Sequence, residues 1–231
     1  MIKHTSFSGF TKETIRFFSA LRRNNNREWF ERNRDTYEAQ VMGPAKAFVT
    51  DMGERLKSIA PRIVAAPKVN KSIFRINRDT RFSQDPSPYK TNLGLYFWDG
   101  LGSRMESSGF YFHLEPPHLM LGGGMYIIPD NLLGRFRHAV VDPKSGREIG
   151  TIVAAIRAIP GFTVEGLHYK RVPVGFDPAH PNAELLKHKG LYGGVDLKIP
   201  EEFFTARLVD FCFERFRSLA PLHHWLMKLW G

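Results

Sequence analysis

Hydrophobic residues recur at helical spacing over the first third of the chain and at alternating spacing from about residue 72. Ile15, Phe17, Phe18 and Leu21 form a stripe that predicts a first helix, capped by Thr11 and ended by Arg22, Arg23 and three asparagines. Asn25, followed three residues later by Glu28, reads as the start of a second helix with Phe30, Tyr37 and Val41 on its apolar face. Gly43-Pro44 should break it. Pro44 then opens a third helix, with Phe48, Met52 and Leu56 at i+4 spacing, ended by Ala60-Pro61.

From Ser72 the period becomes two, which predicts a strand with Phe74 and Ile76 on one side and Ile73, Arg75 and Asn77 on the other. Residues 92–98, 110–115 and 119–128 alternate in the same way and predict an antiparallel sheet. Leu93, Leu95, Phe97, Phe110, Phe112 and Leu114 supply its core face. Tyr96, Trp98, Tyr111, His113 and Glu115 fall on the opposite face, either solvated or forming a pocket wall. Gly122-Gly123-Gly124, inside the last run, marks a bulge or a close approach by a ligand or a helix.

Helical periodicity returns at 130–141 and 146–159, the latter with Ile149, Ile152, Val153, Ile156 and Ile159 on one side. Short strands are expected at 162–164 and 169–172, a helix at 182–188 and a strand at 191–199. Pro200-Glu201-Glu202 opens a last long helix, apolar over a broad face from Phe203 and Phe204 through Leu208, Phe211, Phe213 and Phe216 to Leu219. The fold class expected is α+β: a central antiparallel sheet with an N-terminal helical cap and C-terminal helices packed on it. Neither a repeat nor a linker interrupts the pattern, so residues 1–231 are expected to form one domain.

The 231 residues, 42% hydrophobic and 13% aromatic, are enough for a large core. No run of about 18 apolar residues predicts a membrane span. Met1-Ile-Lys-His-Thr-Ser lacks the apolar core of a signal peptide, so a cytoplasmic protein with no membrane partner is expected. The single cysteine, Cys212, excludes an internal disulfide and an all-cysteine zinc site, and its spacing places it on an apolar helix face as an inert thiol. A net charge of +10 is spread along the chain, with one local exception. Between residues 68 and 92, Lys68, Lys71, Arg75, Arg78, Arg81 and Lys90 face only Asp79 and Asp85. That concentration suits a compact anion site better than a long duplex track.

Arg75, Arg78 and Arg81 recur every three residues and are followed by Lys90, so converging side chains would clamp a phosphate or carboxylate by bidentate hydrogen bonds. Asp79 would orient two guanidiniums, Tyr89 and Asn92 would add neutral hydrogen bonds, and Tyr96 and Tyr111 would line the wall. The bland alternative pairs the arginines with Asp79, Asp85 or Glu115 as scaffolding. His113 and Glu115, two apart on one strand face, form a candidate catalytic acid–base pair. His113, Glu115 and His118 also spell His-x-Glu-x-x-His, but the two intervening prolines remove the helical geometry of a zinc motif, so no metal is expected. The glycine triplet is not followed by Lys-Ser/Thr, so it is no P-loop, and no cofactor is implied. His223-His224 reads as surface or packing. Three functions fit: a pocket for a small phosphate- or carboxylate-bearing ligand, with or without enzymatic use of the arginines; a nucleic-acid-associated protein stacking bases on Tyr96, Trp98 and Tyr111; and a non-catalytic interaction module in which the motif is a structural ion network. The first is preferred, with nucleic acid the less favoured partner.

Trp29-Phe30, Asn33-Arg34 and Tyr37, Phe74-Arg-Ile-Asn-Arg-Asp-Thr-Arg-Phe82, Pro88-Tyr-Lys-Thr-Asn92 and Gly122-Gly-Gly124 together resemble the domain-of-unknown-function 2461 family of bacterial and fungal proteins. The likeness extends through His180-Pro181 and Leu185-Leu-Lys-His-Lys-Gly190. It implies a single α+β domain with a shared site at the arginine motif. This chain has Asp85-Pro86 where such proteins often carry Asp-Lys, so one charge of that site is missing here.

Overall fold

The computed structural model describes residues 6–81 and 85–231; the amino-terminal stretch and Phe82 of the motif lie outside them. Helix α1 (Lys12–Arg23) starts where expected. The Thr11 hydroxyl accepts from the Thr14 amide and the Thr14 hydroxyl accepts from the Thr11 amide, which satisfies two donors that a bare helix end leaves unpaired. The second cap falls on Asn26, whose Oδ1 accepts from the Trp29 amide, so Asn25 is free for another task.

Gly43-Pro44 does not break the second helix. α2 (Arg27–Arg32) and α3 (Arg34–Tyr37) run through one π turn (Glu38–Met42) into α4 (Gly43–Leu56). Pro44 has no N–H to give to the Gln40 carbonyl four residues back. The Thr14 hydroxyl donates to that carbonyl instead, at 2.6 Å, and this tertiary bond offsets the break that local propensity predicts.

Six strands form one open antiparallel sheet: β1 (Ile63–Val64), β2 (Leu93–Asp99), β3 (Gly109–Glu115), β4 (His118–Met125), β5 (Phe162–Leu167) and β6 (His188–Lys198), in the order β1-β2-β3-β4-β6-β5. Helices α5 (Asp130–Val141), α6 (Ser145–Arg157) and α7 (Leu208–Met227) complete the chain. The short edge strand β1 was not expected. The strand expected at 169–172 is absent, the segment 182–188 is turn plus one 3-10 turn (Leu185–Lys187), and Glu201–Phe204 is likewise a separate 3-10 turn ahead of α7. Among the described residues no helix is long and apolar enough to cross a membrane.

The predicted core face is the one that packs. Leu93, Leu95 and Phe97 stand opposite Leu114, Phe112 and Phe110, and all six are buried. N-terminal and C-terminal helices share this face. Phe10 stacks on both Phe112 and Phe203, Phe48 leans on Phe112, and Phe216 of α7 meets Phe110. Cys212 is buried with them, and burial raises its thiol pKa. Leu219 of α7 rests on Gly123 and Gly193, where added Cβ atoms would stand 3.1 and 2.8 Å from its side chain. Part of the glycine triplet is therefore the seat of a helix.

Residues 72–81 and 85–90 belong to an arm rather than to a full strand. Phe74 N donates to Gly94 O and Tyr96 N to Ser72 O, at 3.0 and 2.8 Å, after which the arm leaves β2. It then pairs with its own return, through Arg78 N to Pro88 O and Lys90 N to Ile76 O. The departure breaks the expected alternation: Ile73 and Ile76 are both buried, while Phe74 is half-buried on the opposite sheet face.

Candidate anion-binding site

The return of the arm is fixed to the helical layer. Asn25 reads the Tyr89 backbone as a strand partner would: its Nδ2 donates to Tyr89 O at 2.8 Å and its Oδ1 accepts from Tyr89 N at 3.1 Å. The Tyr89 ring stacks on Phe30 of α2 with centroids 4.2 Å apart. Between this anchor, the end of α1 and the arm lies a cleft of about 600 Å³, whose charged wall comprises Arg22, Arg78, Asp79, Asp85 and Lys90. Of the residues singled out from sequence, Arg78, Asp79, Tyr89, Lys90 and Asn92 line it, whereas Arg75, Arg81, Tyr96, Tyr111, His113 and Glu115 do not.

The cations of the arm divide into two kinds. Arg78 pairs with Asp85, and Arg81 forks onto Asp79 at 2.9 and 2.7 Å, while the Arg75 charge also acts on Asp79. These pairs hold the carboxyls low: Asp79 through its bonds from Arg81, and Asp85, at about 2, through Ser87 and then Arg78. The second kind gathers around Phe74. The Lys90 ammonium stands 5.6 Å from that ring and the Arg104 guanidinium 4.5 Å from it. Burial, then Arg75 and Arg104, lower the Lys90 pKa; burial also lowers that of Arg104. Among the described residues neither Lys90 nor Arg75 nor Arg104 has a carboxylate within ion-pair distance, and Arg104 donates only to the Lys71 carbonyl, at 2.6 Å.

The polar sheet face beside this cluster is ordered by glycines. Tyr96 lies over Gly109 and Tyr111 over Gly94, where a Cβ would come within 2.9 Å of each phenol. Tyr96 donates to the Ser107 carbonyl at 2.7 Å, and burial holds its phenol well above the usual range. The Tyr111 phenol, pushed up to about 12 by burial and by Glu115, shares a 2.9 Å hydrogen bond with His113 Nδ1. His113 Nε2 stands 3.6 Å from Glu115 Oε2. The other Glu115 oxygen accepts from the Thr91 hydroxyl and from Arg22 Nη2, both at 3.1 Å. An unbroken polar chain thus runs from Tyr111 through His113 and Glu115 to two residues of the cleft wall.

Arg22, Asn25, Thr91 and Arg104 were missed by sequence reasoning. Arg22 and Asn25 look like helix terminators, and Arg104 sits in a loop with no periodicity, 29 positions from Arg75. The third histidine of the rejected metal spacing, His118, pairs with Asp196 at 3.1 Å. His223 is a packing residue: its Nδ1 meets Ser108 Oγ at 3.0 Å and its Nε2 lies 3.8 Å from Asp99 Oδ2. Ser108, His223 and Asp99 have the composition of a hydrolytic triad, but all are at most 2% exposed. Asp99 is already committed to Arg62 by two 3.1 Å bonds and to the Leu101 amide, which makes the group structural.

Among curated proteins no relative matches the chain. A family model does, over residues 13–225, which include both the arm and the polar chain. The chain therefore belongs to the conserved hypothetical proteins of the DUF2461 family.

Proposed function

We propose that the protein binds a small phosphate- or carboxylate-bearing ligand where the arm meets the N-terminal helices. One observation carries this reading: the Lys90 and Arg104 cations stand over Phe74, with Arg75 close enough to act on Lys90, and neither Lys90 nor Arg104 has a carboxylate within ion-pair distance among the described residues. Like charges brought together and partly desolvated cost free energy, and an anion among them returns it. The cleft supplies neutral partners beside Lys90, which lines it, in Thr91, Asn92 and Ser87. His113 and Glu115 are the groups that would move a proton if the bound ligand reacts.

The nucleic-acid reading draws less support. Of its three stacking groups, Trp98 is buried and the Tyr96 phenol is tied to Ser107, which leaves Tyr111. The structural-network reading applies to Arg78 and Arg81, whose carboxylates are in place. Calorimetric titration with inorganic phosphate, citrate and a single-stranded oligonucleotide separates these readings. Saturable binding of phosphate or citrate with weak, unselective oligonucleotide binding is expected. A submicromolar oligonucleotide complex at physiological salt with a steep salt slope would reverse the order.

A further inference from the structure

The polar chain on the outer sheet face ends in the cleft, and its last two members are donors that an incoming anion would also want. Arg22 is half-exposed and divides its guanidinium between Glu115 Oε1 and the Pro116 carbonyl, at 3.1 and 3.3 Å. Thr91 has one hydroxyl proton and gives it to the same carboxylate oxygen. Neither bond is buried deeply enough to be irreplaceable, and both side chains line the cleft that holds Lys90 and Arg78.

We propose that anion binding in the cleft is coupled to proton uptake by the His113–Glu115 pair, because the ligand draws Arg22 and Thr91 away from Glu115. This rests on the anion-binding reading above. The sign follows from charge. With the ligand absent, Glu115 accepts from a guanidinium and a hydroxyl. When those donors turn to the ligand, Glu115 loses them and a second negative charge stands nearby, and both changes favour a proton on the pair. His113 is the member of the pair whose ordinary titration range spans neutral pH. It is placed to receive the proton, with Nε2 toward Glu115 and Nδ1 toward the Tyr111 hydroxyl. The protonated imidazole then donates from both nitrogens, to the carboxylate on one side and to the phenol oxygen on the other. By linkage, the anion binds more tightly as pH falls through the His113 titration. The site arms an acid only when it is occupied.

Among the described residues, the groups around the imidazole each have a defined part. Tyr111 and Glu115 share its strand, Gly94 of β2 and Met120 of β4 are its uncharged cross-strand neighbours, and His118, opposite Glu115, is held by Asp196. Arg22 and Thr91 act through Glu115, and Lys90 lines the same cleft as they do.

The test follows the His113 ring by NMR through a pH titration, with and without saturating sulfate, a tetrahedral dianion whose own charge is fixed over this range. The cleft amides of Thr91 and Asn92 report binding. Expected is an upward shift of the His113 midpoint by about 0.5–1 pH unit on sulfate binding, absent in Glu115→Gln and reduced in Arg22→Ala. His118 serves as the internal control and does not move. Perturbed cleft amides with an unmoved His113 midpoint overturn the coupling and leave the anion site standing. Unperturbed cleft amides at saturating sulfate defeat the anion site, and the coupling with it. His113→Gln retains sulfate binding in the proposal but loses its increase at low pH; an unchanged pH dependence contradicts it.

Discussion

The two faces of the sheet are built from the same strands and answer to different rules. On the helix side, side chains fill space: Leu219 rests on Gly123 and Gly193, Phe216 on Phe110, and the buried polar group of Ser108, His223 and Asp99 is paired internally and with Arg62. On the arm side, glycines seat tyrosines rather than a helix, and the groups found there are the Lys90 and Arg104 cations over Phe74, an imidazole and a carboxylate. One face lowers the free energy of the fold. The other holds charges that, in the proposed reading, a bound anion would stabilise.

The sharpest way to break this comparison is to truncate one side chain on each face. Leu219→Ala leaves a cavity over two glycines that cannot close it and is expected to cost about 2–5 kcal/mol in chemical denaturation. Met120→Ala, on the half-exposed opposite face, is expected to cost less than about 1 kcal/mol. Equal losses would mean that the arm side is also a core.

Next in size is a pH effect confined to the helix side. Burial, with help from His224, brings the His223 pKa down to about 4, against Asp99, which pulls it up. A base whose folded pKa is depressed is protonated in the unfolded chain first, so the folded protein loses stability as pH falls from about 6.5 to about 4. The loss attributable to this residue is at most roughly 3 kcal/mol. His223→Gln should be less stable at neutral pH but show a flatter decline across that window; an equally steep decline would place the acid sensitivity elsewhere.

The smallest effects are expected on the arm, and they separate its two kinds of cation. Arg81→Ala removes an exposed pair with Asp79 and should leave thermal stability and anion affinity unchanged. Lys90→Met keeps the stem against Phe74 while removing a charge crowded by Arg75 and Arg104, so stability should hold or rise slightly. A clear loss of stability in Lys90→Met would make the cluster a scaffold after all.

What the sequence could tell of this division followed from its periods. Alternation of Leu93, Leu95 and Phe97 with Tyr96 and Trp98 separates the two faces correctly, because register on a sheet with one packed face is set by the apolar positions. The same logic placed Tyr111, His113 and Glu115 together. It failed where tertiary bonds outweigh local preference: Thr14 carries the helix past Pro44, and pairing with β2 and then with residues 88–90 bends the arm so that Ile73 and Ile76 are buried together. It failed also for the site, since an i+3 spacing of arginines says nothing about where long side chains end. Arg78 and Arg81 found Asp85 and Asp79 close by in sequence, and the Phe74 ring drew Arg104 from a loop that carries no pattern.

The measurement closest to the central claim is a calorimetric titration of inorganic phosphate into the wild-type protein, Lys90→Met and Arg81→Ala at low ionic strength. Saturable binding to the wild type, weakened about tenfold or more in Lys90→Met and unchanged in Arg81→Ala, is the predicted result, since a charge-assisted contact contributes about 1.5–3 kcal/mol. Equal affinity in all three proteins, or no saturable binding to any, would contradict an anion site at the arm.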